Sequence, residues 1–427
     1  MKERIVFTFK ILALLAGVTF IAEAQSAEYD VVKRFKLLED KFSTHDMLTP
    51  FGHDFILDIN LLVNKNLPTI ISDAKDVSKV EGDAAKLAAG QAFLRKYDKT
   101  EQNLRLKLTI GAPLPTFHAW GVKIVPDFRA SASLQALLGI RTETYTFAQI
   151  LNFVGSDVPD VIRNAILSCS EPAAGADIVK HLVDASCITD PSQVALAQTY
   201  YNKYFRPTDS SVPLISTYAK GEGRLGFNFN YFHGEHYFGN LNIYGLGRAD
   251  IKSVVSAETL TKNGDIVDLG EELNTTVNLV ADYKFGYKNG NLSGFASVEE
   301  LKISRMSDNE DKGVKLNYGD DPLIRVHGEY LYKFVGFDLK PFAGTHIRSG
   351  YGAGDGLYGG ADIGYYVWQD RIGLRFRGML DKEHFTFSPA AKLWLMHLEY
   401  MLKTPMKSEV DGVKPATVHA VNFRLFF

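Results

Sequence analysis

From Ala416 to the carboxyl terminus, apolar side chains fall on every second position: Val421, Phe423, Leu425 and Phe427, with Ala420, Asn422 and Arg424 between them. A period of two places one side of an extended segment in an apolar medium and the other against polar groups. The same period runs through Leu104, Leu106, Leu108 and Ile110, and through Leu225, Phe227, Phe229 and Tyr231. It recurs in Val277–Tyr287, in Ile324–Tyr332 and in Trp394–Leu402. In Arg371–Arg377, Ile372, Leu374 and Phe376 share one face while Arg371, Arg375 and Arg377 share the other. The pattern predicts roughly 12–14 strands of about 10–13 residues, the length of a tilted membrane-crossing strand rather than of a soluble one. Asn289-Gly290 marks a tight hairpin, since both residue types tolerate positive φ.

Two stretches break the alternation. Between Glu28 and Lys99 the spacing is mainly helical, with Val31, Phe35, Leu38 and Phe42 recurring every three or four residues. Phe55, Leu57, Ile59 and Leu61 allow a short strand there, and Asp73–Tyr97 returns to helix. Further on, Phe147–Phe153, Val158–Leu167, Ala174–Ala185 and Pro191–Phe205 read as helices. Asp190-Pro191 supplies a capping side chain followed by proline at the first helical position. At the amino terminus, Lys2 and Arg4 precede an apolar run from Ile11 to Ala22, and Ala22-Glu23-Ala24 fits a signal-peptidase site. The expected organisation is a signal peptide at 1–24, a mainly helical segment at 25–102 that is periplasmic, a plug or a helical pair packed on the outside, and a β-domain at 103–427. A helical insert interrupts the β-domain at about 141–210.

The chain has 427 residues, a net charge of -3 and a pI near 6.4, which gives no reason to expect a nucleic-acid partner. No apolar run of the length needed for a membrane helix follows the leader. Cys169 and Cys187 are the only cysteines; in an exported chain they predict a disulfide worth about 3 kcal/mol to the local loop. An arginine turned toward lipid at mid-bilayer costs roughly 2–4 kcal/mol, so in a barrel the polar faces line the lumen. On this reading Arg224, Lys284, Arg325, Glu329, Lys333, Arg371, Arg375, Arg377 and Arg424 line it. Their basic balance predicts a weak anion preference; the alternative is that they pair across strands and hold the wall. His233-Gly234-Glu235-His236 reads as a turn and Gly350–Gly360 as a flexible bend. Glu299-Glu300 would point to opposite faces of a strand, a poor acid/base pair. No catalytic residue, metal or cofactor is expected.

The closing strand resembles the last strand of Gram-negative outer-membrane β-barrels, in which Phe423, Leu425 and Phe427 would complete the segment read by the barrel assembly machinery. The resemblance implies an all-β antiparallel transmembrane barrel in the outer membrane, in contact with lipid, and a porin-like path for passive diffusion of small polar solutes. Three alternatives stand beside it. One is a transporter of lipid or fatty acid with the helical segment as a hatch; the amino-terminal Asn-Pro-Ala signature of the fatty-acid channel family is not found here. Another is a structural, homo-oligomeric barrel. The last is a barrel enzyme whose catalytic groups converge from separate strands. Counting hairpins back from a periplasmic carboxyl terminus puts the Asn289-Gly290 turn outside. It puts Thr261–Leu273, Arg305–Pro322 and the helical insert in the periplasm.

Overall fold

Strand after strand in this chain pairs antiparallel with its sequence neighbour until the last, Val418–Phe426, pairs with the first, Ile56–Asn64, and shuts the sheet into a barrel. The computed structural model describes residues 29–48, 54–144, 159–170, 177–204, 211–256, 273–309, 318–319, 321–367 and 372–426. The strands are β1 (Ile56–Asn64), β2 (Thr100–Pro113), β3 (Phe117–Ala119), β4 (Val122–Thr144), β5 (Ser211–His233), β6 (Tyr237–Ser256), β7 (Asn274–Asn289) and β8 (Leu292–Asp308). They continue with β9 (Leu323–Tyr330), β10 (Tyr332–Phe334), β11 (Phe337–Ile347), β12 (Tyr358–Val367), β13 (Ile372–Asp381), β14 (His384–Leu393), β15 (Met396–Pro405) and β16 (Val418–Phe426). The short β3 and β10 continue β2 and β9 past a break in the ladder, and β9 pairs with β11, so the wall has 14 staves.

The barrel begins earlier than the sequence pattern indicates. β1 lies inside the stretch read as mainly helical, and it is the strand against which β16 closes, from Ile56↔Phe426 to Asn64↔Val418. Its nine residues carry only a brief alternation, flanked on both sides by helix-like spacing. Two helices, α2 (Leu67–Ser78) and α3 (Asp83–Lys96), form the excursion between β1 and β2. They pack outside the wall, where Ile70, Phe93 and Leu94 cover Ile140 of β4 and Ile215 of β5. Ahead of them, helix α1 (Val31–Met47) is capped by Asp30, whose carboxylate accepts from the Val32 and Lys33 amides.

All the short turns among the described residues but one, Lys382-Glu383 between β13 and β14, lie at one end. Eight staves follow the β7–β8 turn, an even number, so that turn lies at the same end as the carboxyl terminus. This corrects the hairpin count made from the sequence, which missed one stave. In outer-membrane barrels the short turns are periplasmic. The connections read as periplasmic, and the helical insert, therefore belong to the outer end. The β7–β8 turn centres on Gly290 and Asn291 between the paired Asn289 and Leu292, with the positive φ at Gly290. Trp120-Gly121 and Trp394-Leu395 make equally tight turns at this rim.

The wall is inverted relative to a soluble sheet. Leu104, Leu106, Leu108 and Ile110 of β2 are 37–48% exposed, while Arg105 of the same strand is buried. Leu225, Phe227, Leu374, Phe376, Leu398 and Val421 likewise face outward. Exposed Phe117, Trp120, Tyr237, Tyr287, Tyr332, Phe334 and Trp394 ring the short-turn rim, the level at which aromatic girdles meet lipid headgroups. Strands β12 to β15 have 10 residues each, enough to cross a bilayer at a tilt. β4 and β5 have 23 and β6 has 20, so this part of the wall projects well past the outer surface. No helix among the described residues is long and apolar enough to cross a membrane; the strands do that.

Between β4 and β5 the insert contributes α4 (Asp160–Ser168), α5 (Ile178–Asp184) and α6 (Pro191–Tyr204). Ile162, Ile166, Ile178, Val179, Leu182 and Ile188 form its own small core, closed onto Leu214 of β5. The Cys169–Cys187 disulfide spans it. At the head of α6, Asp190 accepts from the Ser192 hydroxyl and amide, both at 2.8 Å, and these hydrogen bonds, the hydroxyl's foremost, lower its carboxyl below the usual range. The helix read at Phe147–Phe153 and the signal peptide at 1–24 lie outside the described residues.

Candidate functional site: a helix in the lumen and its charge network

Helix α1 lies inside the barrel. Its side chains reach β2, β5, β9, β13 and β15, strands on all sides of the wall, which is geometrically open only to a helix along the axis. Arg34 donates to Glu101 of β2 (2.8 Å) and to Glu383 in the β13–β14 turn (2.8 Å). Lys41 meets Asp381 (3.1 Å) and Glu383 (3.2 Å), and Asp381 is shared with Lys403 of β15 (2.5 Å). Glu39 accepts from Lys220 of β5 (2.7 Å), and Asp46 accepts from Arg105 of β2 (2.8 Å). His45 pairs with Glu399 of β15 (3.0 Å). The helix starts at the outer mouth, beside Glu101 and Glu383, and ends toward the short-turn rim. There Arg375 and Arg377 of β13 donate to the Leu48 carbonyl (3.1 and 2.9 Å), placing two cations at the negative end of the helix dipole.

Outer loops fold in over the helix. Arg348, just after β11, grips Asp40 through both Nε and Nη2 (2.9 and 3.0 Å), and Tyr351 donates to the same carboxylate (2.5 Å). Tyr318, from the β8–β9 connection, is buried to 2% exposure and donates to Glu39 (2.7 Å). Lys220, Arg248, Lys36 and Arg348 surround its ring at 3.9, 4.4, 4.9 and 5.3 Å from the centroid. Burial would raise the Glu383 carboxyl, but Arg34, Lys41 and His384 outweigh it and hold the group at about 2.

One wall feature runs against the strand rule. Glu299 and Glu300, expected on opposite faces, both enter the lumen. A β-bulge between β7 and β8 inserts an extra residue opposite Asp282, and Glu300 takes a positive φ of 60°. Its amide then donates to Asp282 (2.7 Å). Glu299 takes Arg325 (3.1 Å), while Glu300 gathers Arg224 (2.5 Å), Arg348 (2.9 Å) and Arg248 (3.2 Å). A non-glycine residue held in this backbone region is strained, and the three guanidiniums sharing its carboxylate supply the compensation.

The residues singled out from the sequence fall in several different surroundings. Arg224, Arg325, Arg375, Arg377 and Arg424 point inward and each meets a carboxylate: Glu222 and Glu300, Glu299, Asp362, Asp362, and Asp58 respectively. Arg325 also donates to Ser43 and Thr44 of the helix. Lys284 lies 5.0 Å from the Phe295 ring centre, and Glu329 sits between His327 and Lys340. Lys333, on β10, is exposed at the short-turn rim. Arg371 and Phe427 lie outside the described residues. Phe423 and Leu425 face outward on β16, alternating with buried Asn422 and Arg424.

Sequence reasoning missed the counter-charges. Arg34, Asp40, Lys41, His45 and Asp46 of α1, and Glu101, Asp362, Asp381, Glu383 and Glu399 of the wall, carry as much of the site as the arginines do. The available signal was the density of charge right round α1: Lys33, Arg34, Lys36, Glu39, Asp40, Lys41 and Asp46 leave almost no purely apolar flank wider than the Phe35–Leu38–Phe42 stripe. A helix packed on the outside of a soluble body would not bury such residues.

No family model matches the chain, and no curated protein does. Among solved structures it resembles the transport unit of the autotransporter AIDA-I from Escherichia coli at 6% identity and a TM-score of 0.34, over 94% of this chain and 99% of that one. The β domain of the Bordetella autotransporter Brka aligns at 8% identity and a TM-score of 0.31, over 88% and 99%. A triple mutant of the Rhodopseudomonas blastica porin aligns at 10% and 0.28, over 88% and 99%. The assignment rests on the barrel itself: closure, strand length, the outward apolar belt, and the concentration of long connections at one end. These place the chain in the outer membrane of a Gram-negative bacterium, as a transmembrane β-barrel with a polar, charged interior.

Proposed function

We propose that this barrel is a diffusion channel for small polar solutes, held shut by α1 and opened by displacement of that helix. The observation that carries the reading is the chemistry of the lumen wall. Once the helix is set aside, Arg, Lys, Asp, Glu and Asn face inward on nearly every stave, a mainly polar surface that holds water beside one apolar seam. Buried acceptors without a partner, among them Oδ1 of Asn60, Asn64, Asn103 and Asn422, favour a hydrated interior. The even pairing of lumen charges argues that any ion preference is weak. Against transport of a lipid or fatty acid, buried Arg, Lys, Asp and Glu side chains separate the apolar clusters of the inner wall among the described residues, and the ladder of paired strands is continuous around the wall.

Liposome swelling tests the reading. Folded protein should admit small neutral and charged polar solutes at a low basal rate that rises when mild urea loosens the helix. A barrel that stays tight to every polar solute in urea, yet retains a fatty acid through purification, would contradict it.

A further inference from the structure

Near the carboxyl end of α1, at the periplasmic mouth, a cavity has Arg375, Lys392, His397, Glu399, Asn422 and Arg424 as the polar part of a lining that also includes apolar side chains. The barrel register brings these groups together. Lys392 of β14 stands opposite His397 of β15, and His397 opposite Arg424 of β16, so three nitrogen-bearing side chains occupy adjacent positions on one inward row. On the other side of Lys392 is Gly373 of β13, which carries no side chain into the space, and Arg375 stands two residues further along the same face.

The acids nearby are already engaged. Asp362 is held by Arg375 (3.0 Å) and Arg377 (2.9 Å), Asp58 by Arg424 (3.1 Å), and Glu399 by His45 (3.0 Å) and Arg424 (3.7 Å). Lys392 has no ion pair among the described residues. Arg375, which lines the cavity, also donates to the Leu48 carbonyl at the helix end (3.1 Å).

We propose that this vestibule is a binding subsite for a small oxyanion, a carboxylate or a phosphate, with Lys392 as the uncompensated charge that holds it and Arg375 and Arg424 as flanking donors. The assignment gives the solute class for the channel reading above and depends on that reading for its meaning. An oxyanion entering from the periplasmic side meets this site before it meets the helix. It also competes with Glu399 for Arg424, a contact one step removed from His45 of the plug.

Calorimetric titration of inorganic phosphate into the folded, full-length protein in detergent tests the subsite without requiring an open pore. Lys392→Gln should weaken binding by about tenfold or more, the loss expected for one charged donor. Lys382→Gln, at the outer mouth and paired with Asp355, should leave it unchanged. Heat-modifiable migration shows that each variant is folded. Failure of the wild-type protein to bind phosphate, or equal binding by Lys392→Gln, would overturn the subsite. Binding intact in a barrel that never admits solutes would sink the channel reading and leave the site standing.

Discussion

The two flanks of helix α1 meet the same wall through different forces. Along one flank Phe35, Leu38 and Phe42 pack on Leu62, Leu137, Tyr218, Met401, Val418 and Ala420, an apolar seam from β15 through β16 and β1 to β5. Along the other, Asp40, Lys41 and His45 are clamped by Arg348, Asp381 and Glu399. The apolar seam gives stability that acid does not alter, and it lets a helix shift without leaving an orphaned charge. The ionic flank fixes one register and one depth, and a buried ion pair broken at one partner strands the other. On the proposed reading, a plug that stays in place yet can be displaced gains from having both.

The largest effect should come from the hub of the ionic flank. Glu300→Gln leaves Arg224, Arg248 and Arg348 without their shared carboxylate and releases the grip of Arg348 next to Asp40. A loss of about 3–5 kcal/mol is expected, read as a lower thermal midpoint and as frequent channel openings. An unchanged midpoint with silent bilayers would show that the ionic flank does not hold the helix. Next, Phe35→Ala should remove about 3 kcal/mol from the apolar seam, since Phe35 is fully buried with its ring 4.7 Å from that of Tyr218. Its openings should already rise at neutral pH, where the ionic flank is fully charged, and rise further in acid.

Acid sharpens the same contrast. The Glu383 carboxyl is held at about 2 against an ordinary 4.5, so its hold on Arg34 and Lys41 is complete above the ordinary value and is lost as pH falls toward 2. Wild-type openings should increase over that window, and Arg34→Met, which lacks one partner, should open at higher pH. A flat pH profile in both would contradict the assignment. The smallest effect on the pore should follow removal of the disulfide. Cys169→Ser with Cys187→Ser should loosen α4–α6 by about 3 kcal/mol, seen as faster proteolysis within the insert, with conductance unaltered.

Much of the wall was legible because lipid outside and polar groups inside impose the same two-residue period on every stave. Arg375 and Arg377 against Leu374 and Phe376 show it plainly. β1 was not legible: nine residues between helices read as a minor strand, and only its pairing with β16 makes it the closing stave. The bulge at Glu299-Glu300 escaped for a related reason. Period-two reasoning assumes a regular ladder, and no local residue announces that Glu300 adopts positive φ. The apolar stripe of α1 was visible, and a plug was one of three placements open to it, beside a periplasmic element and a helical pair packed on the outside. Its partners were not visible, because they come from strands hundreds of residues away and are joined to it only by closure of the barrel.

The most direct test of the plugged lumen compares single-channel currents of the intact protein with those of a variant lacking residues 29–48, both shown to be folded by heat-modifiable migration. The intact barrel should be closed most of the time, and the shortened one should conduct steadily in large, uniform steps. Equal and continuous conductance in the two proteins would contradict a lumen occupied by α1.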